Sequence, residues 1–151
     1  MLNPIGLLKD EDMVNITTDP VYGFKVFEKD WTCRGFQYEV GKTYILDELP
    51  ILCARGFHFC LKPKHCFRYY NPENKIKMAI VKGTRHTLVP WTESIDSKCV
   101  TNNITIIADI TEQAMNILKY YGLFSDWIDV ALREYALPII QKDKERSING
   151  N

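Results

Sequence analysis

A five-residue pattern occurs twice in the chain, as RGFQY at residues 34–38 and as RGFHF at residues 55–59. In each copy an arginine and a glycine precede an aromatic, polar, aromatic alternation, which is typical of a strand that sends apolar side chains to one face and a polar side chain to the other. A planar guanidinium group can bind two phosphate oxygens at once. We therefore expect the two copies to line one pocket that binds a phosphate-bearing ligand.

Other side chains in and near these copies could bind the rest of such a ligand. His58 can hydrogen-bond a ribose or a base, or take up a proton near neutral pH. Tyrosines can stack on a base, which is worth on the order of 1–3 kcal/mol per contact in nucleic-acid complexes. The expected ligand-binding residues are Arg34, Tyr38, Arg55, His58, Tyr69 and Tyr70.

The same residues also have structural interpretations. An arginine beside a glycine can bind a turn carbonyl or a surface acid such as Glu39 or Asp47. A histidine between two phenylalanines can be a hydrogen-bonded residue of a sheet, and aromatic residues at strand and helix spacing commonly belong to the core. The pocket hypothesis therefore requires several of these side chains to lie together.

The cysteines suggest neither a disulfide framework nor a metal site. Their number is odd, so reduced thiols are the simplest interpretation. Three of them and two histidines fall within residues 53–66, but without the Cys-x-x-Cys spacing of zinc sites, and we expect no bound metal. Cys60 precedes a predicted helix and could act as a nucleophile, but no acid or amide is placed to orient His58 or His65. We assign no catalytic residue.

Composition limits the classes of partner. With 151 residues and 46% hydrophobic content, the chain suits a single domain, residues 1–151, with a core of its own. Nineteen basic residues balance nineteen acidic ones, so nucleic acid is not an expected partner, although residues 62–68 form a local basic segment. The sequence has neither a signal peptide at its start nor 18 consecutive apolar residues, so we expect an intracellular protein without membrane contact.

Residue alternation predicts strands at 23–28, 36–39, 42–46, 56–60 and 75–82. The second and third of these should form a hairpin through Val40 and Gly41. Residues 103–110 are nearly all apolar, which indicates a strand buried on both faces near the centre of a sheet.

Helices are predicted at 62–70 and in two segments after the last strand. Thr111 and Ser125 are candidate N-caps, Gly122 ends the first of these two helices, and Pro138 should interrupt the second. We expect C-terminal helices within 111–140 and a flexible tail at 141–151. The predicted fold class is α+β, with a mixed, mostly antiparallel sheet, a short helix after the GFHFC strand and two C-terminal packing helices.

Four segments together resemble an uncharacterised domain family that occurs in proteins of phages, prophages and large DNA viruses. They are GFKVF at 23–27, WTCRGFQYEVGKTY at 31–44, GFHFC at 56–60 and FRYY at 67–70. The resemblance covers about residues 22–110 as a recognisable viral-type core. It implies a small accessory protein that acts on a host molecule in the host cytoplasm.

A weaker resemblance links residues 54–60 and the following helix to the ADP-ribosyltransferase fold. In that fold a glycine-led strand with an aromatic residue precedes a helix that ends in a tyrosine. The resemblance implies that Arg34 contacts a dinucleotide and that Tyr70 lies near a nicotinamide, with NAD as the cofactor. The chain has no clear catalytic Glu motif on a late strand, and Asp109 lies near the expected place.

We therefore expect a viral accessory protein that binds a host ligand, a phosphate-bearing or signalling nucleotide, and so interferes with host defence. One alternative is an ADP-ribosyltransferase-like or other nucleotide-processing enzyme. Another is a protein-protein interaction module that binds a host protein through an edge strand or the aromatic segment 120–127. Homo-oligomerisation is compatible with each hypothesis, and no cofactor is expected outside the enzyme alternative.

Overall fold

An eight-stranded antiparallel sheet dominates the structure, a computed structural model that describes residues 14–52, 54–68, 70–92 and 96–148. The strands are β1 (Val14–Thr17), β2 (Val21–Phe27), β3 (Thr32–Cys33), β4 (Phe36–Gln37), β5 (Thr43–Ile45), β6 (Phe57–Cys60), β7 (Lys77–Gly83), β8 (Thr87–Pro90), β9 (Lys98–Thr101) and β10 (Asn103–Asp109). The helices are α1 (Pro63–Cys66), a 3₁₀ turn (Pro72–Asn74), α2 (Thr111–Tyr121) and α3 (Trp127–Ile148).

The sheet has the strand order β1-β8-β9-β6-β2-β7-β10-β5, while β3 and β4 form a separate two-stranded hairpin. The predicted α+β fold with a mostly antiparallel sheet, a short helix after β6 and two C-terminal helices is confirmed. None of the helices in the described ranges combines the length and the apolar character needed to cross a membrane.

The two faces of the sheet carry separate apolar clusters because side chains alternate along β2. Phe24 and Val26 pack on the helix side with Leu132 of α3, whereas Phe27 packs on the opposite side with Tyr38 and Ile106. Each fully buried large side chain contributes roughly 1.5–3 kcal/mol to folding through the hydrophobic effect. β2 therefore lies between two cores.

The predicted hairpin between 36–39 and 42–46 is wrong. β4 pairs with β3, and β5 pairs with β10 instead. The reason is the turn at Arg34 and Gly35, whose φ angles of 51° and 79° are those of a two-residue type I′ turn, which joins β3 directly to β4. β10 is also less central than expected, since only β5 separates it from the edge of the sheet.

The start of α2 differs from the prediction in its capping residue. Thr111 is the first helical residue, and Asp109 accepts hydrogen bonds from its backbone N–H at 2.9 Å and from its hydroxyl at 2.5 Å. The Thr111 hydroxyl in turn accepts a hydrogen bond from the backbone N–H of Met78 at 3.0 Å. Asp109 thus satisfies a free helical N–H, which is the role predicted for Thr111.

The predicted helix end at Pro138 is also wrong, because α3 continues to Ile148 through the segment expected to be a tail. A proline inside a helix removes one hydrogen bond and costs about 3 kcal/mol. Contacts beyond the proline offset this cost: Asp143 accepts a hydrogen bond from the Tyr22 hydroxyl at 2.6 Å and forms an ion pair with Lys82 at 2.7 Å. These bonds hold the last turns of α3 against the sheet.

Candidate ligand-binding cleft

A cleft opens in the sheet where β2 and β6 separate. β6 pairs with β9 through all four of its residues, but it pairs with β2 only through Cys60 opposite Phe24. Past this pair the hydrogen-bonded ladder ends, and a cavity of about 680 Å³ lies between the strands and the β3–β4 hairpin. A cavity of this volume is typical of small-molecule sites.

Lys25 is the most unusual residue of the cleft. Its side chain is only 6% exposed, and its ammonium group donates a hydrogen bond to the backbone carbonyl of His58 at 2.5 Å, where the β2–β6 ladder has ended. The same nitrogen lies 5.5 Å from the centre of the Tyr38 ring and 5.7 Å from that of Phe27, distances at which an aromatic face attracts a cation.

No carboxylate of the described residues lies within ion-pair distance of Lys25. Burial lowers the pKa of Lys25, and the thiols of Cys33, Cys66 and Cys60 only partly oppose this effect. The cleft thus contains a buried amine whose charge the neighbouring side chains do not neutralise.

His58 lies on β6 at the wall of the cleft. Phe57 and Phe59 enter the core on one face of the sheet, so strand alternation sends the imidazole to the other face. Its Nε2 atom is enclosed and has no hydrogen-bond partner among the described residues. Burial and then the charges of Lys25, Lys98 and Arg34 lower the pKa of His58 to about 4. At neutral pH the ring is therefore uncharged and surrounded by cations.

Arg34 extends from the tip of the β3–β4 hairpin. Its left-handed backbone conformation and that of Gly35 form the type I′ turn, which places the exposed arginine on the rim of the cavity. Within the described ranges no carboxylate pairs with Arg34. Glu28 is the one acid among the described residues that line the cleft.

Aromatic side chains form the remaining wall. Phe36 is 43% exposed, and its ring centre lies 4.8 Å from that of Tyr38 and 5.8 Å from that of Phe57. Tyr38 is buried against Phe27, so it supports the wall rather than offering a free face. The half-buried Tyr70 donates a hydrogen bond to the Cys33 sulfur at 3.2 Å, and burial raises the pKa of both tyrosines.

The structure brings four of the six expected ligand-binding residues together along the cavity: Arg34, Tyr38, His58 and Tyr70. Arg55 is not among the lining residues. Its guanidinium group forms an ion pair with Glu48 at 2.9 Å and donates a hydrogen bond to the Leu49 carbonyl at 2.8 Å, which matches the structural alternative of a turn carbonyl and a surface acid. Tyr69 lies outside the described residues.

The glycine of the second RGF copy has a packing role. A Cβ atom at Gly56 would lie 2.6 Å from the Val100 Cγ2 atom, and the residue has a φ of 122°. Only glycine fits both the conformation and the space. The two copies are therefore not equivalent, because the first forms a turn that presents its arginine while the second brings β6 close to β9.

Sequence reasoning missed Lys25, Lys98 and Phe36 as cleft residues. A lysine in a strand commonly reaches water, so burial is not what its residue type predicts for Lys25. The one available signal was its place in GFKVF, where it is the sole charged residue among apolar ones. Asp109, the acid near the expected place of a catalytic Glu, caps α2 and does not line the cavity.

Comparison with known proteins identifies the domain but not an activity. No curated protein and no solved structure matches the chain significantly. Residues 21–119 match the family described as a domain of unknown function, DUF7666, and this range includes every described residue that lines the cleft. Because the match covers more than half of the sequence, the chain belongs to the DUF7666 domain family.

Proposed function

We propose that the cleft between β2 and β6 binds a phosphate-bearing nucleotide. The observation that carries this proposal is the burial of Lys25 without a carboxylate partner among the described residues. A buried ammonium group without a counter-ion is costly, whereas a bound anion would repay its desolvation. A phosphoryl group supplies that charge and several hydrogen-bond acceptors.

The surrounding residues favour a phosphate over an uncharged ligand. Among the described residues, Lys25 and Arg34 line the cavity without a carboxylate partner and Glu28 is the one acid that lines it, so this part of the cleft favours an anion. The Nε2 atom of His58, which has no partner among the described residues, offers a further hydrogen bond to a phosphate oxygen or a ribose hydroxyl.

A nucleobase would use the aromatic wall. The exposed ring of Phe36 lies at the same hairpin as Arg34, and Tyr70 lines the cavity beside it. Stacking accepts any base, because every base presents a π-face. An aromatic group next to a cluster of cations matches the two halves of a nucleotide, which supports this ligand class over a simple inorganic anion.

The biological role that we propose is withdrawal of a host nucleotide by a viral accessory protein in the host cytoplasm, which would interfere with host defence. The motif resemblance to domains of phages, prophages and large DNA viruses supports this role. A binding protein of this kind would return its ligand intact after denaturation, whereas a nucleotide-processing enzyme would return a product.

The binding test is isothermal titration of the protein with AMP, ADP, a cyclic dinucleotide and NAD. We expect at least one of them to bind, and we expect Lys25→Met to weaken that binding at least tenfold, since loss of a charged hydrogen-bond partner costs roughly 1.5–3 kcal/mol. Lys29→Met is the matched control, because Lys29 is exposed just after β2 and should leave binding unchanged.

Thermal unfolding of each variant verifies that it is folded before titration. The proposal is wrong if none of the nucleotides binds the unsubstituted protein. It is also wrong if the folded Lys25→Met variant binds as tightly as the unsubstituted protein.

A further inference from the structure

The helix α3 has apolar side chains on two opposite faces. Its inner face carries three fully buried side chains of the helix-side core: Ile128, Leu132 and Ala136. The other face carries four exposed apolar side chains, which we call the outer stripe: Trp127, Val130, Leu137 and Ile148. At about 100° per residue, the outer stripe is centred on the opposite side of the helix from the buried residues. A surface helix needs one apolar face for its own core, so the outer stripe serves another contact.

The spacing of the outer stripe fits a second helix. Its four members fall on alternating steps of three and four residues, and the polar Glu134, Gln141 and Lys144 occupy the remaining places of this repeat. A repeat that averages 3.5 residues forms a straight seam along a helix, and two helices pair along such seams. The stripe extends over about 32 Å at the usual rise of a helix.

The exposed apolar area is large enough for an interface. Trp127 is 62% exposed and Ile148 is 83% exposed, and Phe124, just before α3, is 87% exposed. With Val130 and Leu137, these side chains leave roughly 600 Å² of apolar surface uncovered. Exposed apolar patches of this size mark interaction sites, and a stable complex buries about 800 Å² per partner. The stripe and the polar residues beside it supply that area.

Symmetry and charge indicate which helix covers the stripe. Leu137 lies ten residues after Trp127 and eleven before Ile148, so a two-fold axis beside Leu137 brings Trp127 close to the partner's Ile148. Residues 126–136 have three acidic and one basic side chain, whereas residues 138–148 have three basic and two acidic ones. An antiparallel pair therefore places the acidic half of each α3 against the basic half of the other, and it also opposes the two helix dipoles.

We propose that α3 pairs antiparallel with α3 of a second copy of this chain through the outer stripe. The members of the stripe belong to neither core, and none of the described residues of α3 lines the cleft. Dimerisation thus leaves the cleft open and does not depend on the proposed nucleotide function. The helix α3 also follows the residues that match the domain family, 21–119, so the interface lies outside the matched range.

The test is sedimentation velocity of the full chain between about 1 and 200 µM. We expect the average mass to rise with concentration from 17.6 kDa toward twice that value. Leu137→Asp brings two carboxylates together at the two-fold axis and should raise the dissociation constant at least tenfold. Leu49→Asp is the matched control, because Leu49 is 52% exposed and lies between β5 and β6. Both side chains are exposed, so circular dichroism at low concentration should show equally stable monomers.

Cross-linking tests the orientation of the two helices. An equal mixture of unlabelled and ¹⁵N-labelled protein is treated with a carbodiimide, which joins carboxylates to lysines in direct contact. We expect mixed-isotope links between Glu134 and Lys142. Mixed-isotope links only between Glu145 and Lys142 would indicate parallel helices and overturn the proposed arrangement. A constant mass of 17.6 kDa at every concentration, or equal weakening by Leu49→Asp and Leu137→Asp, would overturn the interface itself.

Discussion

His58 should make the free energy of unfolding depend on pH between about 4 and 6.5, and the substitution His58→Gln should remove this dependence. Its pKa is lowered to about 4 in the folded protein by burial and by the cations around it, against about 6.5 in the unfolded chain. Between these values the unfolded chain binds a proton that the folded protein does not. The free energy of unfolding therefore decreases as the pH falls from 6.5 to 4. The stability that the neutral His58 imidazole contributes is fully present only above pH 6.5.

The size of the effect follows from the shift. A difference of about 2.5 pKa units corresponds to about 3.4 kcal/mol at 1.36 kcal/mol per unit. Because the ring is only partly buried, solvent screening reduces this to about 2 kcal/mol. His58→Gln keeps a polar side chain of similar length but cannot be protonated, so the variant should lack this part of the pH dependence.

Urea denaturation at pH 7.5, 6.5, 5.5 and 4.5 measures the difference. We expect the unsubstituted protein to lose about 2 kcal/mol more than His58→Gln over this range, since all other titrating groups are common to both proteins. Parallel stability curves would refute the environment that we describe for His58. A steeper curve for the variant would show that the sign of the shift is wrong.

Two further substitutions test the packing around the cleft and the course of α3. Gly56→Ala should lower the free energy of unfolding, measured by urea denaturation, by about 2–4 kcal/mol, because the new methyl group would lie 2.6 Å from the Val100 side chain at a φ of 122°. Gly41→Ala is the control: its φ is 92° but the space around it is open, so it should cost only about 1 kcal/mol. Equal losses in the two variants would contradict the steric argument. Pro138→Ala should raise the free energy of unfolding by about 1–3 kcal/mol, because it restores a helical hydrogen bond in α3. The exposed Leu137→Ala should change the free energy of unfolding by less than about 0.5 kcal/mol. A Pro138→Ala variant that is less stable than the unsubstituted protein would show that the helix requires the proline.

Much of the fold could be predicted because its longer elements carry strong local patterns. The alternation in β2 and β7 and the apolar face of α2 are visible in short windows of sequence. β8 and β9 were missed because each has only four residues and no clear alternation, and their pairing with each other and with β6 is decided by distant parts of the chain.

The site was predicted in part for the same reason. Arg34 and His58 belong to a motif that occurs twice in the sequence, and both line the cleft. Lys25 has only a weak sequence signal, because its burial depends on the separation of β2 and β6, which is a property of the sheet rather than of the strand. Arg55 has the same sequence context as Arg34, yet a local ion pair with Glu48 holds it outside the cavity.

The most direct test of the central claim is to follow the imidazole nitrogens of the histidines by NMR while ADP is added. The chain has three histidines, and only His58 lines the cleft. We expect the His58 signals to shift and saturate with ADP, the signals of His65 and His86 to stay in place, and the ADP concentration at half-saturation to rise at least tenfold in Lys25→Met. Unchanged His58 signals at millimolar ADP, or equal shifts of all three histidines, would contradict nucleotide binding in this cleft.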